Sequence, residues 1–114
     1  MHEVGIITSM LHTVADIMEQ EQLTVVEKIV LEVGELSGVV PHYMEECFPT
    51  AAYKTRFADT KLEMEVVPGI VKCKRCGLEF NGFQYDLRCP DCGNGKELTP
   101  LSGRELTIKE IIGC

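Results

Sequence analysis

No apolar run in this sequence approaches the roughly twenty residues needed to cross a bilayer. No signal peptide stands at its start, so the expected compartment is the cytoplasm. Positive charge is scarce: 11 Lys and Arg face 18 Asp and Glu, for a net charge of −7. A phosphate backbone demands clustered cations, so the balance argues against a nucleic-acid ligand. No Ser/His/Asp, Cys/His or paired-carboxylate arrangement stands at a spacing that would build an active site. The expectation is a protein that is not an enzyme. Internal repeats and low-complexity segments are absent too.

What the chain does have is two Cys-x-x-Cys pairs, Cys73-Lys-Arg-Cys76-Gly and Cys89-Pro-Asp-Cys92-Gly, separated by twelve residues. At this spacing the four thiolates read as one metal site. Two intervening residues let the chain turn back so that both sulfurs face one point. Gly77 and Gly93 can supply the positive φ that such a knuckle needs. Zn²⁺ suits four thiolates, being redox-inert, borderline-soft and content with a tetrahedron. Four cysteines close the coordination sphere and leave no position for water or substrate, so the site is expected to be structural. Two disulfides would suit a secreted chain, and a thioredoxin-type motif needs a single pair beside a βαβ pattern; neither condition is met. A rubredoxin-like Fe(Cys)4 centre shares the geometry and stays open. Lys72, Lys74, Arg75 and Arg88 gather around the knuckles, where they would offset the negative charge of the thiolates. Cys47 is expected to be a small buried hydrophobe, and Cys114 a thiol open to adventitious disulfides.

The rest of the chain reads as an α+β domain. Over residues 1–22, Ile7, Leu11, Val14 and Met18 recur at helical spacing, widened by Met10 and Ile17, with His12 on the solvent side. Residues 24–33 are too rich in Val and Ile to prefer helix and are predicted as a strand, ended by Gly34-Glu-Leu-Ser-Gly38. Pro41 fits the first turn of a second helix carrying Met44, Cys47, Phe48, Ala51 and Ala52 on its apolar side and His42 at its surface. Pro49 is predicted to kink or split that helix. Residues 61–67 alternate, with Leu62, Met64 and Val66 on one face. Leu78, Phe80, Phe83 and Tyr85 are expected in short strands around the knuckles, and 106–112 in a final strand. The architecture expected is a small three-stranded sheet with two helices on one face and an inserted zinc-ribbon lobe. Its expected divisions are 1–70, completed by 103–114, and the ribbon at 71–102.

The chain opens Met1-His2-Glu3. A histidine at position 2 sets an imidazole beside its own backbone nitrogen, the Glu3 amide and the Met1 amine. Ni²⁺ or Cu²⁺ can displace amide protons and take such nitrogens in a square plane. Several segments then follow in a telling order: this opening on an amphipathic helix, Val33-Gly-Glu-Leu-Ser-Gly38-Val-Val-Pro41, the Cys73/Cys76 and Cys89/Cys92 ribbon, and Ser102-Gly-Arg-Glu-Leu106. Together they resemble the HypA/HybF family, the nickel chaperones of [NiFe]-hydrogenase maturation, over essentially the whole chain. The resemblance implies a nickel site made of the His2 imidazole and the backbone nitrogens of His2 and Glu3, and structural zinc on the four cysteines. It implies delivery of Ni²⁺ to the hydrogenase large-subunit precursor in concert with a HypB-type GTPase; some members also serve urease maturation. Some relatives add a histidine from the zinc lobe. This chain has none between Cys73 and Gly103, and the Met1 amine is the simplest candidate for the remaining position. Monomer, homodimer and domain-swapped pair are all open. The competing expectation is a non-enzymatic zinc-ribbon adaptor for another protein, with no nickel function.

Overall fold

The computed structural model describes residues 2–114, with His2 described through its backbone only. Its elements are two helices and six strands: α1 (His2–Glu21), β1 (Val26–Gly34), α2 (Pro41–Ala52), β2 (Lys61–Val67), β3 (Ile70–Cys73), β4 (Glu79–Asn81), β5 (Leu98–Pro100) and β6 (Leu106–Gly113). They form two three-stranded sheets, ordered β2-β1-β6 and β4-β3-β5. The second sheet is inserted in sequence between β2 and β6, so the α+β architecture with an inserted cysteine-bearing lobe is as the sequence predicts. No helix among the described residues is long and apolar enough to cross a membrane.

The chain divides into two compact units. The first comprises Met1–Leu31, Val40–Glu65 and Thr107–Cys114. Here α1 packs against α2. The helical stripe is buried as its period requires, with Ile7, Met10, Leu11, Val14 and Met18 all inside, while His12 is exposed. Ile29 and Leu31 of β1 and Met44, Phe48 and Ala52 of α2 are buried as well. Thr60 is the unit's buried polar side chain among the described residues, and its hydroxyl donates to the Val26 carbonyl at 2.7 Å.

Three expectations for this part need correction. Helix α2 is not split at Pro49 but runs through it to Ala52. Pro49 and Glu45, whose carbonyl loses its partner, are both exposed, which leaves the orphan group open to solvent. Cys47 is only half-buried. The alternation of β2 fails at its end: Leu62 and Met64 are half-buried, but Val66 is 56% exposed. β2 is an edge strand, which gives its last residues a neighbour on one side only.

The second unit comprises Glu32–Val39 and Val66–Leu106. Strand β3 is its centre, antiparallel to β4 (Val71 opposite Phe80) and to β5 (Lys72 opposite Thr99). Val71, Cys73, Phe80 and Cys89 form its buried cluster, with Leu36 and Leu98 packed against it. The packing of Leu36 explains why 32–39 groups with the ribbon. Of the four residues expected in strands, Leu78 stands just before β4, and Phe83 and Tyr85 lie in turns, 52% and 47% exposed, while Tyr85 meets the Phe80 ring edge-on at 5.9 Å. The closed turn from Gly82 to Leu87 (Leu87 N–H to Gly82 C=O, 2.6 Å) takes the place of the expected strand.

The segments around Gly34 and Gly103 converge on the entry to β3. Glu35 Oε1 accepts from the Gly69 amide at 2.8 Å and from Asn81 Nδ2 at 3.1 Å. Ser102 Oγ donates to the Pro68 carbonyl at 2.8 Å and accepts from the Ile70 amide at 3.3 Å. The two glycines lie where backbones cross: a Cβ on Gly34 would overlap the Gly103 carbonyl, and one on Gly103, itself at φ +73°, would sit 2.6 Å from the Pro68 oxygen. Only glycine fits such a crossing.

Candidate metal centre

The two knuckles are built alike. Cys73 C=O accepts from Gly77 N–H at 2.9 Å, and Cys73 N–H donates to Leu78 C=O at 2.9 Å. Cys89 repeats both bonds, with Gly93 N–H at 2.8 Å and Asn94 C=O at 2.9 Å. Gly77 and Gly93 take φ of +80° and +77°, the left-handed backbone expected of a glycine closing a knuckle. β3 delivers Cys73, and Lys74 N–H bonds Glu97 C=O at 2.8 Å, which ties the first knuckle to the chain leaving the second.

The four sulfurs of Cys73, Cys76, Cys89 and Cys92 all lie within 4.8 Å of one another. The closest approaches run between knuckles: Cys73 to Cys92 at 3.5 Å and Cys76 to Cys89 at 3.4 Å. A tetrahedral ion with bonds of about 2.3 Å would set such sulfurs about 3.8 Å apart, so the donors fit a four-thiolate metal with small adjustments. Cys73 and Cys89 are buried, whereas Cys76 and Cys92 are exposed. Cys47 and Cys114 stand outside the cluster.

Asn94 completes the site. It is 7% exposed, and its Nδ2 donates to Cys73 Sγ at 3.4 Å and to Glu97 C=O at 3.1 Å. Its Oδ1 accepts from the Lys96 and Glu97 amides at 3.1 and 3.3 Å. The Asn94 side chain, helped by the backbone at Cys76, lowers the Cys73 thiol to about 6. Cys76 moves the other way, to about 12: the Leu78 backbone pulls it down, but the Cys89 thiol, desolvation and the other two sulfurs outweigh that pull. Cys92 is also raised; the Asn94 backbone lowers it, while desolvation and the Cys73 and Cys89 sulfurs prevail. Thiols packed this closely titrate as a group, in which the first thiolate is favoured and later ones are opposed. A bound dication supplies the charge that lets all four ionise. Sequence pattern does not single out Asn94. The only signal is that the knuckle repeat places Leu78 after one glycine and a polar Asn94 after the other.

Of the residues expected to hold nickel, Met1 and the side chain of His2 lie outside the described residues. Glu3 is half-buried in the first turn of α1. Away from the cysteines, His42 pairs with Glu46 across one helical turn at 3.0 Å, and both are exposed.

Two helices, small sheets and a paired-knuckle cluster of four cysteines define an α+β protein with a metal-binding lobe of zinc-ribbon type. The family model described as "Hydrogenase/urease nickel incorporation, metallochaperone, hypA" matches residues 1–112, and the chain belongs to that family. It is 35% identical over 111 residues to the hydrogenase maturation factor HypA of Rhodopseudomonas palustris (strain TIE-1), covering 97% of each chain. With the HypA of Streptomyces avermitilis it shares 37% identity over 113 residues, covering 97% of this chain and 86% of that one. The solution structure of the Ni metallochaperone HypA from Helicobacter pylori superposes with a TM-score of 0.69 at 18% identity, covering 97% of this chain and 96% of the other, which speaks for the fold.

Proposed function

We propose that this chain is a nickel metallochaperone that delivers Ni²⁺ to the [NiFe]-hydrogenase large-subunit precursor and is not itself an enzyme. The family match over residues 1–112 carries this reading. In it the four cysteines hold structural Zn²⁺. Nickel sits on the His2 imidazole and the backbone nitrogens of His2 and Glu3, with the Met1 amine as fourth donor where Met1 is the amino end. The nickel-carrying part is the expected division 1–70 with 103–114, less the stretches 32–39, 66–70 and 103–106 that group with the zinc-held ribbon. A HypB-type GTPase and the precursor are the expected partners, urease maturation is a second outlet, and the cytoplasm is the working compartment.

Physical chemistry favours the division of labour. Soft sulfur ligands in a closed shell retain their ion, whereas a chelate of nitrogens at the chain start can be taken apart one donor at a time. His2 and Glu3 fall in the first turn of α1, where amides have no intrahelical acceptor. Deprotonating them for nickel therefore breaks no helix hydrogen bond. Protonation of imidazole competes with the metal, so the hold on nickel weakens as pH falls through about 6.5.

The test is nickel titration of zinc-loaded protein with an authentic Met1 start, of His2→Ala, and of a chain extended ahead of Met1. One nickel per native chain is expected, with clear loss of affinity in both altered chains. Equal stoichiometry and affinity in all three would leave only a zinc-stapled adaptor for another protein.

A further inference from the structure

Beside the cysteine cluster, within the second unit, a cleft of about 550 Å3 is lined by the cations Arg75, Arg88 and Lys96, the carboxylates Asp86 and Glu97, and Leu87, with residues 93–95 as the rest of its wall. A chain of net charge −7 thus gathers three cations on one small surface. Among the described residues none of the three forms an ion pair. All three are mounted on backbone that is already fixed. Arg75 sits inside the first knuckle. Lys96 N–H is held by Asn94 Oδ1 at 3.1 Å. Arg88 N–H bonds Tyr85 C=O at 2.9 Å, closing a turn whose two central residues, Asp86 and Leu87, both adopt left-handed backbone at φ +51° and +57°. Positive φ at both central positions is the backbone of a type I′-like turn, and it fixes where Arg88 leaves the loop. The conformation lays the Arg88 stem over Gly95, where a Cβ would meet Arg88 Cγ at 3.3 Å, and seats Leu87 on Gly82.

We propose that this cleft is a docking site for an acidic segment of a partner polypeptide. The inference stands apart from the nickel reading, since it uses neither the chain start nor the identity of any metal. Backbone hydrogen bonds fix where the three cations leave the loops, and their charge is complementary to carboxylates. Asp86 and Glu97 interrupt the positive surface and would repel a continuous polyanion such as a nucleic acid. A peptide spaces its carboxylates and can straddle them. Leu87, 40% exposed, offers an apolar side chain of that peptide a contact that phosphate could not use.

The experiment uses zinc-loaded full chain, isotope-labelled, titrated at low and high salt with the peptide Glu-Asp-Leu-Glu-Asp-Leu and with its amidated Gln/Asn counterpart. Expected are salt-sensitive binding of the acidic peptide alone and amide shifts confined to 75, 86–88 and 93–97. The double variant Arg75→Glu with Arg88→Glu should bind about tenfold more weakly or worse, as reversal of exposed charges implies. Lys96→Gln, outside both knuckles, and Gly95→Ala, which displaces the Arg88 stem without changing charge, should each weaken binding severalfold. Binding unchanged in Lys96→Gln and Gly95→Ala overturns the proposal. So do shifts elsewhere on the molecule, equal effects from inorganic phosphate or an oligonucleotide, and equal binding of the amidated peptide. Loss of zinc from the double variant with peptide binding intact would instead assign these cations to the thiolates' charge.

Discussion

Asn94 shows how one uncharged side chain can set the order in which a metal site loses its protons. Its amide faces Cys73 Sγ at 3.4 Å, and its other three hydrogen bonds fix that aim. With the Cys73 thiol lowered to about 6, the cluster gives up its first proton most readily at this end. In Asn94→Ala the largest lowering influence on Cys73 is gone while the backbone at Cys76 and Arg75 remains, so the first proton should leave at higher pH and metal binding must displace more of it near neutrality. Metal affinity should therefore fall about tenfold or more at pH 7. The deficit should grow as pH drops from 9 toward 6 and shrink above 9. Competition of Zn²⁺ against a chromophoric chelator at several pH values measures this directly. A deficit that did not vary with pH would assign Asn94 to backbone support alone.

At the scale of elements, the glycine crossing leaves no room for a side chain. Gly34→Ala puts a methyl group into the Gly103 backbone, which cannot give way as a side-chain end could. The expected cost is about 2 kcal/mol or more, seen as a lower Tm. Gly5→Ala makes the contrast, because a Cβ there meets nothing within 4 Å on an exposed turn of α1. Alanine there should be neutral or stabilise by up to about 1 kcal/mol. The helices are legible in the sequence because Ile7, Leu11, Val14 and Met18 repeat at a period only a half-buried helix has. The metal lobe is legible because cysteine spacing leaves few alternatives. The misses have a common cause. Whether Pro49 breaks α2, whether Val66 is covered, and whether Phe83 lies in a strand or a turn depend on neighbours distant in sequence. Local pattern carries no record of them. Glu35 and Ser102 show the same thing from the other side. They stand out as parts of motifs, yet only the structure reveals that both hold the Pro68–Gly69–Ile70 backbone.

For the molecule as a whole, the helices and the clustered cysteines belong to different units. Both helices belong to the first unit, and all four clustered cysteines to the second. The ribbon's buried cluster contains Val71 and Phe80, and its other two members, Cys73 and Cys89, are themselves cluster thiols. Two apolar side chains with Leu36 and Leu98 beside them bury too little to offset the entropy of ordering this lobe. An ion on the four thiolates would supply the folding free energy that these contacts lack, as in other small four-cysteine modules. The first unit has its own buried side chains on α1, α2 and β1 and makes no such demand. Removing metal with a strong chelator at neutral pH should abolish amide-exchange protection across β3, β4 and β5. The helical ellipticity at 222 nm should survive nearly intact, and added Zn²⁺ should restore the protection. Helix signal lost in step with the metal would mean that the two units fold as one. Protection retained without metal would mean that the lobe's apolar contacts suffice, and that the thiolates are free for a role other than holding it together.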